Sequence, residues 1–174
     1  MKIIEVVNAL ERFAPLPLQE DYDNAGLQIG LTEAEISGAL LCLDVTEETV
    51  DEAIRKGCNL IVSHHPLIFR RLRRIAGEDM VQRVVAKAIV NHIVIVSMHT
   101  NMDAAQGGVN FKIAEKMGLS HVGFIGKTRQ AEAHGASADT DAMVAGGEGV
   151  MGEWDEPMAA DDFIQMLKQT FGVE

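Results

Sequence analysis

The sequence predicts an α/β protein, a three-layer arrangement of helices around a mostly parallel mixed sheet. Three observations carry that prediction. Two apolar runs of strand length, Leu60–Ser63 and Ile93–Met98, are rich in the β-branched residues that suit buried strands. A third run, Ile36–Val45, leads into a helical stretch that opens at Thr46 and stops at Gly57, directly before the next strand. Strand, helix of about three turns and strand make a β-α-β unit, and the strands of such a unit run parallel.

Taken in order, Ile3, Ile4, Val7, Leu10 and Phe13 recur at helical spacing and predict a first amphipathic helix, ended by Pro15 and Pro17. The acidic loop Asp21–Gly30 follows, punctuated by Gly26 and Gly30, and reads as a turn before a short strand. After the Ile36–Val45 strand, Thr46 supplies an N-cap hydroxyl, with Glu47 and Glu48 in the first turn where negative charge is favoured. Met80–Val90 is amphipathic and feeds Ile93–Met98, a second crossover. Gly107 and Gly108 open a helix that runs through Met117 and closes at Gly118, its N-terminus expected to point toward the site. Beyond His121 a short strand is expected at Val122–Ile125. Arg129–Asp141 reads as a loop with some strand content, Met143–Glu153 as strands around a glycine turn, and Ala159–Phe171 as an amphipathic helix with Phe163, Ile164 and Leu167 on its apolar face.

One domain accommodates 174 residues, enough for a sizeable core. A formal net charge of −11 repels phosphate backbones and excludes non-specific nucleic-acid binding. No apolar run reaches the length of a membrane span, and the acidic residues within MKIIEVVNALERF exclude a signal peptide, so a cytoplasmic protein is expected. Cys42 and Cys58, in or beside apolar runs, read as buried free thiols of a reducing compartment rather than as a disulfide or thiolate ligands.

The chemistry is concentrated where the two central strands end. Leu60–Ser63 runs into His64, His65 and Pro66, and Ile93–Met98 runs into His99, Thr100, Asn101, Met102 and Asp103. In open α/β sheets, ligands sit at the carboxyl ends of strands. Histidines with a carboxylate and no cysteine suit zinc, iron, manganese, cobalt or nickel. Adjacent histidines seldom chelate one ion together. His64 and His65 more naturally serve two ions a few ångströms apart, with Asp103 bridging, as in two-metal hydrolytic sites. His99, on the same loop as Asp103, is a ligand, an outer partner of a ligand or a proton carrier. A histidine pair in a packed, hydrogen-bonded turn is the plain alternative, and His92, His121 and His134 are read as surface or turn residues. The basic run FRRLRR, Phe69–Arg74, is either a solvated face or a guanidinium cluster that meets substrate phosphate.

The runs SHHPLIF (63–69), HTNMD (99–103), YDNAGLQIG (22–30) and GGVN (107–110) together resemble the Nif-three-like family of dinuclear-metal-centre proteins, whose members go by the name GTP cyclohydrolase I type 2 homologues. The motifs occur in the family's order, and the resemblance covers the whole chain. It implies that His64 and His65 each bind one of two divalent ions, that Asp103 binds or bridges, and that His99 stands near them as an acid or base. Tyr22 occupies a position where the family often has tryptophan. Family members continue into a segment that ends in a further histidine and glutamate, which complete the two metal spheres. No such pair is recognisable here, so the chain is expected to be one domain resembling the family's N-terminal half. With at most four protein groups for two ions, it is expected to bind metal weakly or arrive empty. The resemblance further implies a homo-oligomer, a toroidal hexamer in complete members, and a metal-dependent hydrolase acting on a small nucleotide or phosphorylated substrate. The alternatives are a non-enzymatic metal-binding or regulatory assembly protein, or a scaffold half that needs a partner.

Overall fold

The capping and stop signals of the sequence act where they stand. The Thr46 hydroxyl accepts the Thr49 N–H at 3.3 Å, and Gly57 closes the helix with φ 67°. Asp79 caps the next helix by accepting the Gln82 N–H at 2.8 Å. In the computed structural model, which describes residues 1–133 and 143–173, these helices are α2 (Glu47–Lys56) and α3 (Met80–Val90). They are crossovers between strands β2 (Ala39–Cys42), β3 (Leu60–Ser63) and β4 (Val94–Ser97), which run parallel with Leu60 beside Val94 and Ser63 beside Ser97. β1 (Gly26–Ile29) adds to β4 antiparallel, giving the order β1-β4-β3-β2 and the mixed sheet expected.

The continuous apolar runs of β3 and β4 serve two faces at once. Leu60, Val94 and Val96 pack under α1 (Ile3–Phe13), through Ile3 and Val7, and against Leu18 in the short 3₁₀ turn Leu16–Leu18. Ile61 and Ile95 face the other way, onto Val50 and Ala53 of α2 and Val84, Val85 and Ala88 of α3. Helix, sheet and helix form the three layers. Each valine, leucine and isoleucine among these side chains contributes about 1.5–3 kcal/mol by leaving water.

Some boundaries differ from expectation for physical reasons. The strand expected over Ile36–Val45 contracts to Ala39–Cys42, because β2 is the sheet's edge and, among the described residues, no helix covers its outer face, leaving Leu41 76% exposed. Residues 99–103, expected as a loop, start a helix instead: His99 is the N-cap of α4 (Thr100–Ala104). Its backbone N–H donates to Asn101 Oδ1 at 3.0 Å, and the buried Asn101 amide is tied to the Ala14 carbonyl at 2.7 Å. α5 (Val109–Lys116) starts after Gly108 as predicted. A Cβ there would lie 2.0 Å from the Met102 carbonyl oxygen, so only glycine permits the approach. Phe69–Arg74 forms neither helix nor strand and is largely exposed. The cysteines are free but half-buried rather than buried.

C-terminal to α5 the chain forms two antiparallel ribbons. β5 (Ser120–Phe124) pairs with β8 (Val150–Glu153), and β6 (Arg129–Glu132) pairs with β7 (Met143–Gly146). Strands do flank the glycine turn of Met143–Glu153, but each pairs outward with an earlier strand. The expected Val122–Ile125 strand starts earlier, at Ser120. Arg129–Asp141 begins as β6, and its later part, with His134, lies outside the described residues. α6 (Ala160–Phe171) closes at Gly172. No helix among the described residues is long and apolar enough to cross a membrane.

Candidate metal centre

β3 and β4 end side by side, and their last residues fasten the two histidine-bearing turns together. Ser63 and Ser97 are buried and share a hydroxyl–hydroxyl hydrogen bond of 2.8 Å. Ser63 Oγ also donates to the His65 carbonyl at 3.0 Å. On the other side, His64 and His65 continue the ladder to β2, donating their N–H groups to the carbonyls of Cys42 and Leu43 at 3.1 and 2.9 Å. Held on both edges, the backbone turns so that two adjacent side chains, which would alternate across a regular strand, share one side of the sheet edge. His99 enters from the end of β4. The ring centroids lie 4.9 Å apart for His64–His65, 5.1 Å for His64–His99 and 5.5 Å for His65–His99. One ring nitrogen from each lies within 4.8 Å of the others.

Each imidazole is oriented through its Nδ1. His64 Nδ1 meets the Met98 carbonyl at 3.0 Å, His65 Nδ1 meets Asp44 Oδ1 at 2.8 Å, and His99 Nδ1 meets Asp23 Oδ1 at 2.8 Å. Carbonyl and carboxylate oxygens accept, so in each neutral ring Nδ1 carries the proton and Nε2 keeps a lone pair. Histidines that ligate metals show this arrangement, one nitrogen on an acceptor and the other free for the ion. Asp103 lies one helical turn beyond His99, and its Oδ1 is 3.8 Å from His64 Nε2. The four residues singled out in the sequence are therefore brought to one sheet edge, and their donor set suits a divalent cation.

Sequence reasoning missed the groups that aim the rings. The Asp23 side chain is 0% exposed and accepts from His99 Nδ1, from the Asn24 N–H at 2.7 Å, from the Thr100 N–H at 3.1 Å and from the Thr100 hydroxyl. Burial pushes its carboxyl up, but hydrogen bonds from the Thr100 hydroxyl, His99 and the two backbone N–H groups outweigh burial and hold it below the usual carboxylate value. Asp44 is a weaker support, with a side chain 68% exposed. In the sequence Asp23 stood as one acid of a turn and Asp44 lay inside the strand expected over Ile36–Val45, and Asp23 meets His99 only across 76 residues of chain. The other described histidines stay apart: His92 sits exposed in a turn, and His121 pairs with Glu153 at 2.9 Å.

A polar groove of about 300 Å³ runs past Asp103, lined by Glu20, Tyr22, Thr100 and Glu148. Larger apolar cavities lie elsewhere, one of them at the opposite end of the sheet beside Leu31 and His92, with no comparable chemistry. The base of the Phe69–Arg74 loop is tied to the Asp23 loop, through Asn24 Nδ2 donating to the Ile68 carbonyl at 2.6 Å and the Ile68 N–H donating to Gln28 at 3.2 Å.

Fold and site define the class: an α/β protein with a histidine-and-carboxylate constellation at the carboxyl edge of its parallel strands. The chain matches the family model Duf34/NIF3 (NGG1p interacting factor 3) over residues 1–174, and it belongs to that family. A Clostridium acetobutylicum relative named GTP cyclohydrolase 1 type 2 homolog is 30% identical over 174 residues, covering 100% of this chain and 61% of the relative. The crystal structure of a Staphylococcus aureus hypothetical protein is similar with a TM-score of 0.83 at 32% identity, over 99% of this chain and 65% of that one. A Bacillus cereus protein related to NIF3 is similar with a TM-score of 0.78 at 26% identity, over 100% of this chain and 71% of that one. The chain thus spans about three fifths of the length of the clostridial relative.

Proposed function

We propose that this chain supplies part of a divalent-metal site that hydrolyses a small nucleotide or phosphorylated substrate, with His64, His65 and Asp103 as metal ligands and His99 as the proton carrier. The observation that carries the reading is the set of three imidazoles, each pinned through Nδ1 with its other nitrogen free, converging within 4.8 Å. In the finer assignment His64 would hold one ion and His65 a second, with Asp103 as a ligand available to both. A divalent ion bound there supplies Lewis acidity and brings the pKa of water toward neutrality. The chain's own residues do the rest. The Met98 carbonyl and Asp44 aim the two ligand rings. His99 takes a proton on Nε2, and the buried carboxylate of Asp23 stabilises the imidazolium so formed. The arginines of the Phe69–Arg74 loop offer charge to a phosphate. The name of the clostridial relative, GTP cyclohydrolase 1 type 2 homolog, supports a nucleotide such as GTP as the first substrate to try.

Side chains from this chain give each of two ions about two groups, so binding is expected to be weak and turnover low. Cobalt(II) absorption titrations read weak binding directly. The expected result is a cobalt spectrum that depends on His64 and is lost in His64→Ala. His99→Ala should keep that spectrum and abolish any metal-dependent turnover of GTP. A wild-type protein with no His64-dependent spectrum at saturating cobalt would sink the metal site. Loss of the spectrum in His99→Ala would move His99 from proton carrier to ligand.

A further inference from the structure

We propose that Asp23 is the positioning residue of His99, its carboxylate holding the ring in the tautomer that carries its proton on Nδ1 and leaves Nε2 as the free nitrogen. The assignment rests on hydrogen-bond directions and needs no ion, so it stands or falls separately from the metal site.

Direction enters the network at the Thr100 hydroxyl. Its oxygen accepts the Glu20 N–H at 3.0 Å, so its single proton goes to Asp23 Oδ2. The Thr100 N–H reaches the same oxygen at 3.1 Å. Oδ2 therefore faces two donors. Oδ1 faces the Asn24 N–H at 2.7 Å and the His99 ring at 2.8 Å. A carboxylate surrounded in this way can only accept, and the ring must present N–H to it. Because the side chain is fully buried, no water takes the place of any of these partners. His64, held by a backbone carbonyl, has a support that no side-chain substitution can reverse, and Asp44 is exposed enough to turn. Asp23 alone among the three supports is both replaceable and locked.

Asp23→Asn turns that lock around. The amide keeps the size and shape of the carboxylate but has one oxygen and one NH₂. The oxygen belongs on the Thr100 side, where a backbone N–H and a directed hydroxyl both need an acceptor, whereas on the other side only the Asn24 N–H loses one, because the His99 ring can change tautomer. The NH₂ then faces His99 Nδ1, which must accept, and the ring proton moves to Nε2. An aspartate-to-asparagine change behind a catalytic histidine acts in this manner in serine proteases, by imposing the wrong tautomer.

Long-range proton–nitrogen correlation spectra of the histidine rings, recorded on metal-free protein at mildly alkaline pH, read the tautomer of each ring. Wild-type His99 is expected with Nδ1 protonated and Nε2 bare. Asp23→Asn is expected to invert the two nitrogen shifts of His99 while those of His64 stay in place, which also shows that the fold survives. A purely structural role for Asp23 would leave the His99 pattern unchanged. A wild-type ring protonated on Nε2 overturns the proposal, and so does an Asp23→Asn ring that keeps its proton on Nδ1. Should the variant fail to fold, the wild-type spectrum decides alone.

Discussion

The sheet with its three flanking helices and the C-terminal ribbons are built on different terms. In the first, large side chains are fully buried: Ile3, Leu60, Ile61, Ile95, Val50 and Val84. In the second, among the described residues, the buried positions are small, such as Ala131, Ala133 and Gly146, and α6 buries none of its residues. Stability follows apolar area removed from water, so the first region holds itself together while the second leans on it. The histidines stand on the first. The site's geometry is therefore expected to depend on the sheet far more than on the ribbons, although the groove beside Asp103 borrows Glu148 from the ribbon side.

The largest effect is expected in the central strand. Ile95→Ala removes a fully buried side chain beneath α2 and α3 and is expected to cost about 2–5 kcal/mol, read from the denaturant midpoint. A cost under about 1 kcal/mol would mean that the sheet is less decisive than its burial implies.

Next comes the seam between the two regions. Gly146 bridges Ala105, and a Cβ there would stand 2.7 Å from a Leu18 methyl group and 3.2 Å from the Ala104 carbonyl oxygen. Gly146→Ala is expected to cost about 1–3 kcal/mol by overpacking. Hydrogen exchange should rise in β6 and β7 while β3 and β4 stay protected. Equal loss of protection in β4 would show that the ribbon holds the sheet.

The smallest effect is expected in α6. Ile164 is half exposed, and Ile164→Ala is expected to change stability by no more than about 0.5 kcal/mol and to leave the histidine ring signals where they are. A thermal shift as large as that of Ile95→Ala would erase the distinction between the regions.

Much of the sheet was legible because its signals are local. The β-branched runs at Leu60 and Ile93, the Thr46 cap and the Gly57 stop each act within a few residues, and two crossovers follow from their order. The C-terminal end of β2 was not legible, since the apolar run Ala39–Leu43 continues past Cys42 and only its place at the sheet edge decides which part pairs. α4 was hidden for another reason. Five residues carry too little periodicity to announce a helix, and what stabilises it is Asn101 reaching Ala14 across 87 residues.

By itself the sequence determined which residues can do chemistry and on which strands they ride. His64 and His65 follow one buried strand, His99 and Asp103 follow its parallel neighbour, and parallel neighbours in one sheet deliver their carboxyl ends to a common edge. Tertiary structure alone decided how those side chains are aimed. A ring's tautomer depends on the acceptor that meets its other nitrogen, and for His65 and His99 those acceptors are Asp44 and Asp23, 21 and 76 residues away. Hydrogen bonds are directional and short, so no pattern along the chain announces them until folding brings donor and acceptor within 3 Å.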